Sequence, residues 1–199
     1  MKVSLTPGRL FLPQPLYVVG TNNADGSSNF ATVTWIAGNW NGTAHIMVGL
    51  GSARVARENV KRDGLFTMSL VSSDIVWLAD RLGSSQGSEA QRSLLSYEEA
   101  IGQVIAAPYL TKAKLIYECQ VTNSLEMEAD STIFFGEIRN ILIDEAYGQV
   151  DTRRLDLERL DPVLFAPYQY YGVGKLLGPC DGWLQNIEET NSKKLEKPK

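Results

Sequence analysis

The 199-residue chain holds a single histidine and only two cysteines. A metal centre built from several imidazoles is therefore excluded. A histidine-based catalytic triad would have to use His45, which sits in an apolar stretch opposite Ala44, Ile46 and Val48 and reads as structural. Cys119 and Cys180 form neither a disulfide framework nor a metal-ligand spacing. Cys119 alternates with Leu115, Tyr117 and Val121, the pattern of a buried strand thiol. No apolar run approaches the roughly 18 residues that a membrane helix needs, and the N-terminus lacks a signal-peptide core. The expected location is the cytoplasm, with no membrane partner. A basic stripe is missing too. The formal net charge is −4, which argues against a nucleic-acid partner. The one basic cluster, Lys193 to Lys199, reads as a solvated tail. No phosphate-binding loop of the Gly-x-x-x-x-Gly-Lys-Ser/Thr type is found. Gly172-x-Gly174 is not followed by the helix that a dinucleotide fingerprint requires. No carboxylate pair stands out for acid–base work.

What remains is a globular composition, 44% apolar and 21% charged. A chain of this length buries about 70% of its unfolded surface without staples. One domain is expected over residues 1–185, followed by a polar tail at 186–199. Strands are predicted at Leu16–Thr21, Asn29–Ile36, Ala44–Leu50, Leu65–Val71, Ala113–Val121, Ser124–Met127 and Thr132–Ile143, from alternation and β-branched content. Turn signals at Asn22–Gly26 and Gly38–Gly42 make two successive hairpins of the first three strands. Helices are predicted from Ser52 to Arg62, ended by Gly64, and after Ser72-Ser73-Asp74, carrying Ile75, Leu78, Ala79 and Leu82. A weaker helical pattern covers 89–107, with Ser96 to Glu99 in capping-box form, before Pro108. A helical turn is expected at Asp156–Pro162, then a loop-rich aromatic end. Hairpin succession without βαβ alternation gives a mostly β fold with helical insertions, an antiparallel barrel or sandwich.

The chemistry gathers between Asn29 and Arg57. One strand face offers the hydroxyls of Thr32 and Thr34, and Trp35 offers a flat apolar surface. Gly51-Ser52-Ala53-Arg54 then places small residues, a hydroxyl and a fixed positive charge before a helix start, a setting that suits a phosphate. Together they describe a pocket for a ring with an anionic tail. Each residue also has a plain structural role: Trp35 as core, the threonines as strand formers, and Arg54 and Arg57 as a solvated face with Glu58.

Asn29-x-Ala31-Thr32-x-x-Trp35, Ser52-x-Arg54 followed by Asn59, Asp130 to Glu137, Leu155 to Pro162 and Tyr170-Tyr171-Gly172-x-Gly174 occur in that order. This set resembles the flavin reductase-like, FMN-binding split-barrel family, and most nearly its flavoredoxin group, over roughly residues 10 to 178. The resemblance implies a six-stranded antiparallel split β-barrel of Greek-key type. It also implies a homodimer with FMN near the subunit interface. Asn29, Ala31, Thr32 and Thr34 would meet the flavin or its ribityl chain, and Trp35 would lie by the ring. Ser52, Arg54 and Arg57 would hold the phosphate. Arg92 matches a position where the family often has a lysine, and would stabilise the anionic reduced ring. Phe165 and Tyr171 would close the pocket. Two departures stand out: Ala56 where a threonine is common, and Ser131 where close relatives carry a histidine. The implied activity is an FMN-dependent oxidoreductase taking electrons from NAD(P)H or a redox protein. A non-enzymatic FMN carrier or storage protein is the alternative, and so is a cofactor-free interaction module.

Overall fold

A computed structural model describes residues 2–4, 6, 12–39, 42–51, 54–84, 95–127, 131–147, 155–166 and 168–177. Twelve strands and three α-helices follow one another along the described chain. They are β1 (Gln14–Pro15), β2 (Tyr17–Asn22), β3 (Ser28–Val33), β4 (Ile36–Gly38) and β5 (His45–Leu50), then α1 (Val55–Asp63) and β6 (Leu65–Leu70). A 3-10 turn at Ser73–Ile75 leads into α2 (Val76–Ser84). Next come β7 (Glu99–Ile101), β8 (Pro108–Leu110), β9 (Leu115–Met127) and β10 (Ser131–Ile143). The described chain finishes with α3 (Leu157–Leu160), β11 (Val163–Ala166) and β12 (Gln169–Gly172).

Seven of the strands form one antiparallel sheet in the order β3-β2-β6-β9-β10-β5-β4. Its two outermost strands, β3 and β4, are neighbours in sequence, with only Thr34 and Trp35 between them. In a flat sheet those edges would stand about 29 Å apart, yet a link from Val33 to Ile36 reaches at most about 11 Å. The sheet therefore has to curl until its edges nearly meet, as a split barrel. With β3 and β4 taken as one interrupted strand, the seven become the expected six. The first expected hairpin forms as β2–β3, but the second differs from the sequence reading: β3 pairs with β2 alone, and β5 pairs with β4 and β10.

The curl creates two apolar cores. Inside the barrel lie Tyr17, Val19, Ala31, Val33, Val48, Leu50, Phe66, Met68, Cys119 and Phe134. Outside it, Leu16, Val18, Phe30 and Ile116 pack against Ile75, Leu78, Ala79 and Leu82 of the second helical segment. Strand β2 is thus covered on both faces, and Tyr17 through Thr21 are all buried. Helix α1 buries Ala56, Asn59 and Val60 and stops at Gly64, whose φ of 66° lies in the left-handed region. Burial, and next the charge of Glu118, push the Cys119 thiol up, which suits its structural reading.

Three other expectations are corrected. The helix over 89–107 is not formed where the chain is described: Glu99–Ile101 and Pro108–Leu110 pair as an antiparallel hairpin. Gly102 and Pro108 oppose a helix there, and Ile101 and Val104 stay exposed. The two strands expected between 113 and 127 are one, with irregular pairing to β10 near Phe135/Gly136 and Ile138/Asn140. The aromatic end is a β11–β12 hairpin in a three-stranded sheet with β1, not loop.

The 102–107 segment is held by a group that sequence reasoning did not single out. Glu118, with 0% exposure, accepts hydrogen bonds from the backbone amides of Gln103 (3.0 Å), Val104 (2.7 Å) and Ile105 (2.6 Å) and from Asn140 Nδ2 (2.9 Å). A Cβ on Gly102 would lie 2.7 Å from Glu118 Oε2, so the loop can close on the carboxylate only with glycine there. Burial alone would raise the Glu118 pKa. The amides outweigh it and hold the group below the ordinary glutamate value. Glu118→Gln is expected to lower stability by about 2–3 kcal/mol, because a donor then faces donors. The stabilisation is fully present above the ordinary glutamate pKa and is lost as pH falls through the depressed folded value. The variant should therefore show a shallower acid limb than the parent in denaturant unfolding measured against pH.

Candidate functional site

The break between β3 and β4 puts Trp35 on the outside of the barrel. Its carbonyl accepts from Gly49 N (2.9 Å). Its indole lies flat on β5, and a Cβ on Gly49 would come 2.2 Å from Trp35 Cε3. The residue is 39% exposed, so one side of the ring meets backbone while part of it faces outward. It is not core, unlike Val33 and Ala31, two and four residues before it.

From Gly49 the contacts run in a closed circuit. Leu50 and Gly51 follow, and Gly51 O accepts from Arg54 N (3.1 Å) at the start of α1. Arg54 Nη1 donates to Gly83 O (3.0 Å) near the end of α2. Gly83 abuts Thr32, whose hydroxyl donates to Ala79 O (2.5 Å) in the same helix. Thr32 leads back along the chain to Thr34 and Trp35. The circuit links one flat ring, the first turn of a nine-residue helix and a guanidinium.

The two arginines differ. Arg54 has no ion pair among the described residues. Arg57, its side chain 12% exposed, is fully engaged: Nε donates to Thr132 Oγ1 (2.7 Å), Nη1 to Glu58 (3.0 Å) and Nη2 to Glu126 (3.1 Å). Lys61 reaches the same Glu126 (2.8 Å). That lysine, then Thr132 and Arg57, hold the Glu126 carboxyl at about 2. Thr132 is tied to the circuit by its pairing with Leu50.

The remaining expected residues scatter. Asn29 is buried, and its Nδ2 donates to Thr21 Oγ1 (3.1 Å), which also accepts from Asn59. This polar cluster seats α1 on β2. Thr34 is half-buried in the link, and Ser131 is half-buried at the start of β10. Phe165 and Tyr171 belong to the three-stranded sheet, which Tyr170 joins to α2 by donating to Asp80 (2.6 Å). Burial and then Asp80 push that tyrosine up to about 12. Tyr171 is exposed and bonds Gln169. Ser52 and Arg92 lie outside the described residues. Sequence reasoning missed Gly49, Gly83, Glu126 and Thr132 as members of the group. Nothing in the sequence marks Glu126.

A curled antiparallel sheet closed by an interrupted strand, with a ring-and-cation circuit beside the break, defines a split-barrel protein. Residues 8–174 match the model of the flavin reductase like domain, and the chain belongs to that family. Among solved structures, flavoredoxin of Desulfovibrio vulgaris (Miyazaki F) is 30% identical with a TM-score of 0.80, over 92% of this chain and 98% of that one. Flavoredoxin from Methanosarcina acetivorans shares the fold at 24% identity and a TM-score of 0.83, over 94% and 100%. So does an FMN-binding protein from Thermus thermophilus with bound p-hydroxybenzaldehyde, at 19% identity and a TM-score of 0.73, over 90% and 100%. A comparison with curated protein sequences finds no match. No helix among the described residues is long and apolar enough to cross a membrane.

The Trp35–Gly49 contact makes a direct prediction. Gly49→Ala should displace the indole, cost about 1–3 kcal/mol in stability and change the tryptophan near-UV circular dichroism. An unchanged spectrum would mean that the ring does not rest on β5.

Proposed function

We propose that the chain binds FMN at the Trp35–Arg54 circuit and serves as an oxidoreductase that passes electrons from NAD(P)H or a redox protein. The observation that carries this is the circuit itself, which links an outward-facing indole to a guanidinium at a helix start that has no ion pair among the described residues. The donor set suits the cofactor. An aromatic face accepts a flat ring, and a guanidinium with free donors accepts a phosphate dianion. FMN, when bound, supplies the electron chemistry at its ring. The protein's residues bind and orient. Arg54 holds the phosphate end together with the first amides of α1. Trp35 and Thr34 flank the ring side, and Ala31 and Thr32 shape the strand that carries them. Ala56, buried in the first turn, offers only its backbone where the family commonly has a threonine. Ser131 can donate a hydrogen bond but cannot shuttle a proton near neutral pH. Asn29 supports the site from beneath through Thr21 rather than by direct contact. Arg57 reaches the phosphate only by exchanging a carboxylate partner.

A second copy completes this reading. On the outer face of β4, β5, β10 and β9, the register aligns Ala37, Met47, Phe135 and Asn123 in one row and Gly49, Ile133 and Leu125 in the next. Trp35 covers Gly49 on this face, and Leu125 and Met127 are 52% and 40% exposed. An apolar sheet face continuous with the ring side of the site favours a homodimer with the cofactor at the interface.

Purified protein given FMN and freed of excess should retain the visible flavin bands, and NADH or NADPH should bleach them without air. Arg54→Ala should weaken FMN binding by roughly 10- to 100-fold and leave riboflavin, which lacks the phosphate, little changed in a fluorescence titration. Leu125→Lys should halve the solution mass measured by sedimentation, because a charge then enters the apolar face. A protein that takes up no flavin would leave the barrel and remove the cofactor.

A further inference from the structure

Arg57 and Lys61 stand one turn apart on α1 and turn to the same carboxylate. Glu126 Oε2 accepts from Arg57 Nη2 (3.1 Å) and Thr132 Oγ1 (3.0 Å), and Glu126 Oε1 accepts from Lys61 Nζ (2.8 Å). Thr132 Oγ1 in turn accepts from Arg57 Nε (2.7 Å), so guanidinium, hydroxyl and carboxylate close a small ring. Glu58 takes the remaining described position on Arg57. The helix thus presents Arg54 at its N-cap, Arg57 in its first turn and Lys61 in its last, while Glu58 and Glu126 neutralise two of those three charges. Glu126 comes from β9, not from the helix, and its side chain is 59% exposed. It is built into the group from across the fold and remains within reach of an incoming ligand.

We infer that Glu126 is a resident competitor for the phosphate of the cofactor. It occupies the cations that a dianion would use, and so sets the preference for phosphorylated over unphosphorylated flavin. The inference rests on the cofactor reading given above. Its physical basis is plain. An anion approaching Arg54 meets a compensated Arg57 and Lys61, and it must either displace Glu126 or bind beside a like charge. Removing the carboxylate releases Lys61 and leaves Arg57 with Glu58 as its one carboxylate among the described residues, without touching the ring side of the site. A carboxylate that merely latches the β9–β10 ribbon to α1 would behave otherwise. Its loss would loosen the site for every flavin alike.

The test compares the parent with Glu126→Gln, which keeps the shape and an acceptor for Thr132. FMN and riboflavin are each titrated by fluorescence quenching at low and high salt. The expected result is FMN binding roughly three- to tenfold tighter at low salt, with riboflavin unchanged and the gain shrinking as salt rises. Weaker FMN binding, or an equal change for both flavins, overturns the inference and makes Glu126 a latch. If the parent prefers FMN and the variant has the same preference, the competitor role alone falls. If the parent binds neither flavin, the cofactor reading falls and takes this inference with it. Should Glu126→Gln unfold too readily to titrate, Glu126→Asp, which keeps the charge but retracts it from Lys61, is expected to shift the ratio in the same direction by less; an unshifted ratio there also overturns the inference.

Discussion

The structure depends on one constraint of reach: two residues, Thr34 and Trp35, must join the opposite edges of a seven-stranded sheet. Everything nearby follows from that link. It makes the sheet curl, which gives the barrel an inside core of Val19, Val48, Phe66 and Phe134. The curl leaves β2 covered on both faces, because α2 must pack on the outside of the same strand. The link also leaves the ladder between β3 and β4, and a residue in that break is free of pleat geometry. Trp35 uses this freedom to lie on β5, which works only because position 49 has no side chain. The flat surface of the candidate site is thus a by-product of barrel closure.

The charges at the site follow from topology as well. Helix α1 begins directly after β5, so its first turn opens beside the barrel end where β10 starts. Arg57 is drawn to Thr132 and Glu126 across that opening, while Arg54 turns the other way, to Gly83 of α2. Two arginines three positions apart therefore receive different environments, one compensated and one with no carboxylate partner among the described residues. Spacing on a helix cannot distinguish them; the partners come from strands and helices distant in sequence.

Much of the fold was legible because its signals are local. Gly64 ended α1, the Ile75–Leu82 spacing marked α2, and alternation marked β2, β5 and β6. Thr32, Trp35 and Arg54, which the sequence singled out as candidates, are linked through one chain of contacts. What failed depended on distance. The 99–110 hairpin carries a faint helical pattern, and it is strand because Glu118 and Ser69, from other elements, hold its backbone. The β3–β5 pairing was a fair inference from turn residues, but a two-residue jump between sheet edges leaves no mark in composition. Asn29 reads as a ligand contact in the motif, and its burial with Thr21 and Asn59 appears only when α1 is seated.

Glu118 has a consequence for strand alignment. In β9 the odd-numbered residues Leu115, Tyr117 and Cys119 face the barrel interior, and Glu118 faces the other way. The irregularity between Ile138 and Asn140 brings Asn140 opposite Glu118, where its amide completes the set of donors. A slip of one residue would turn the carboxylate inward, beside Phe66 and Met68, with every backbone amide already committed to the ladder. An apolar residue at this position would tolerate either alignment; a carboxylate tolerates one. The buried charge thus acts as a key for the register of the two longest strands, and the hairpin loop that it binds finds its acceptor only in that register.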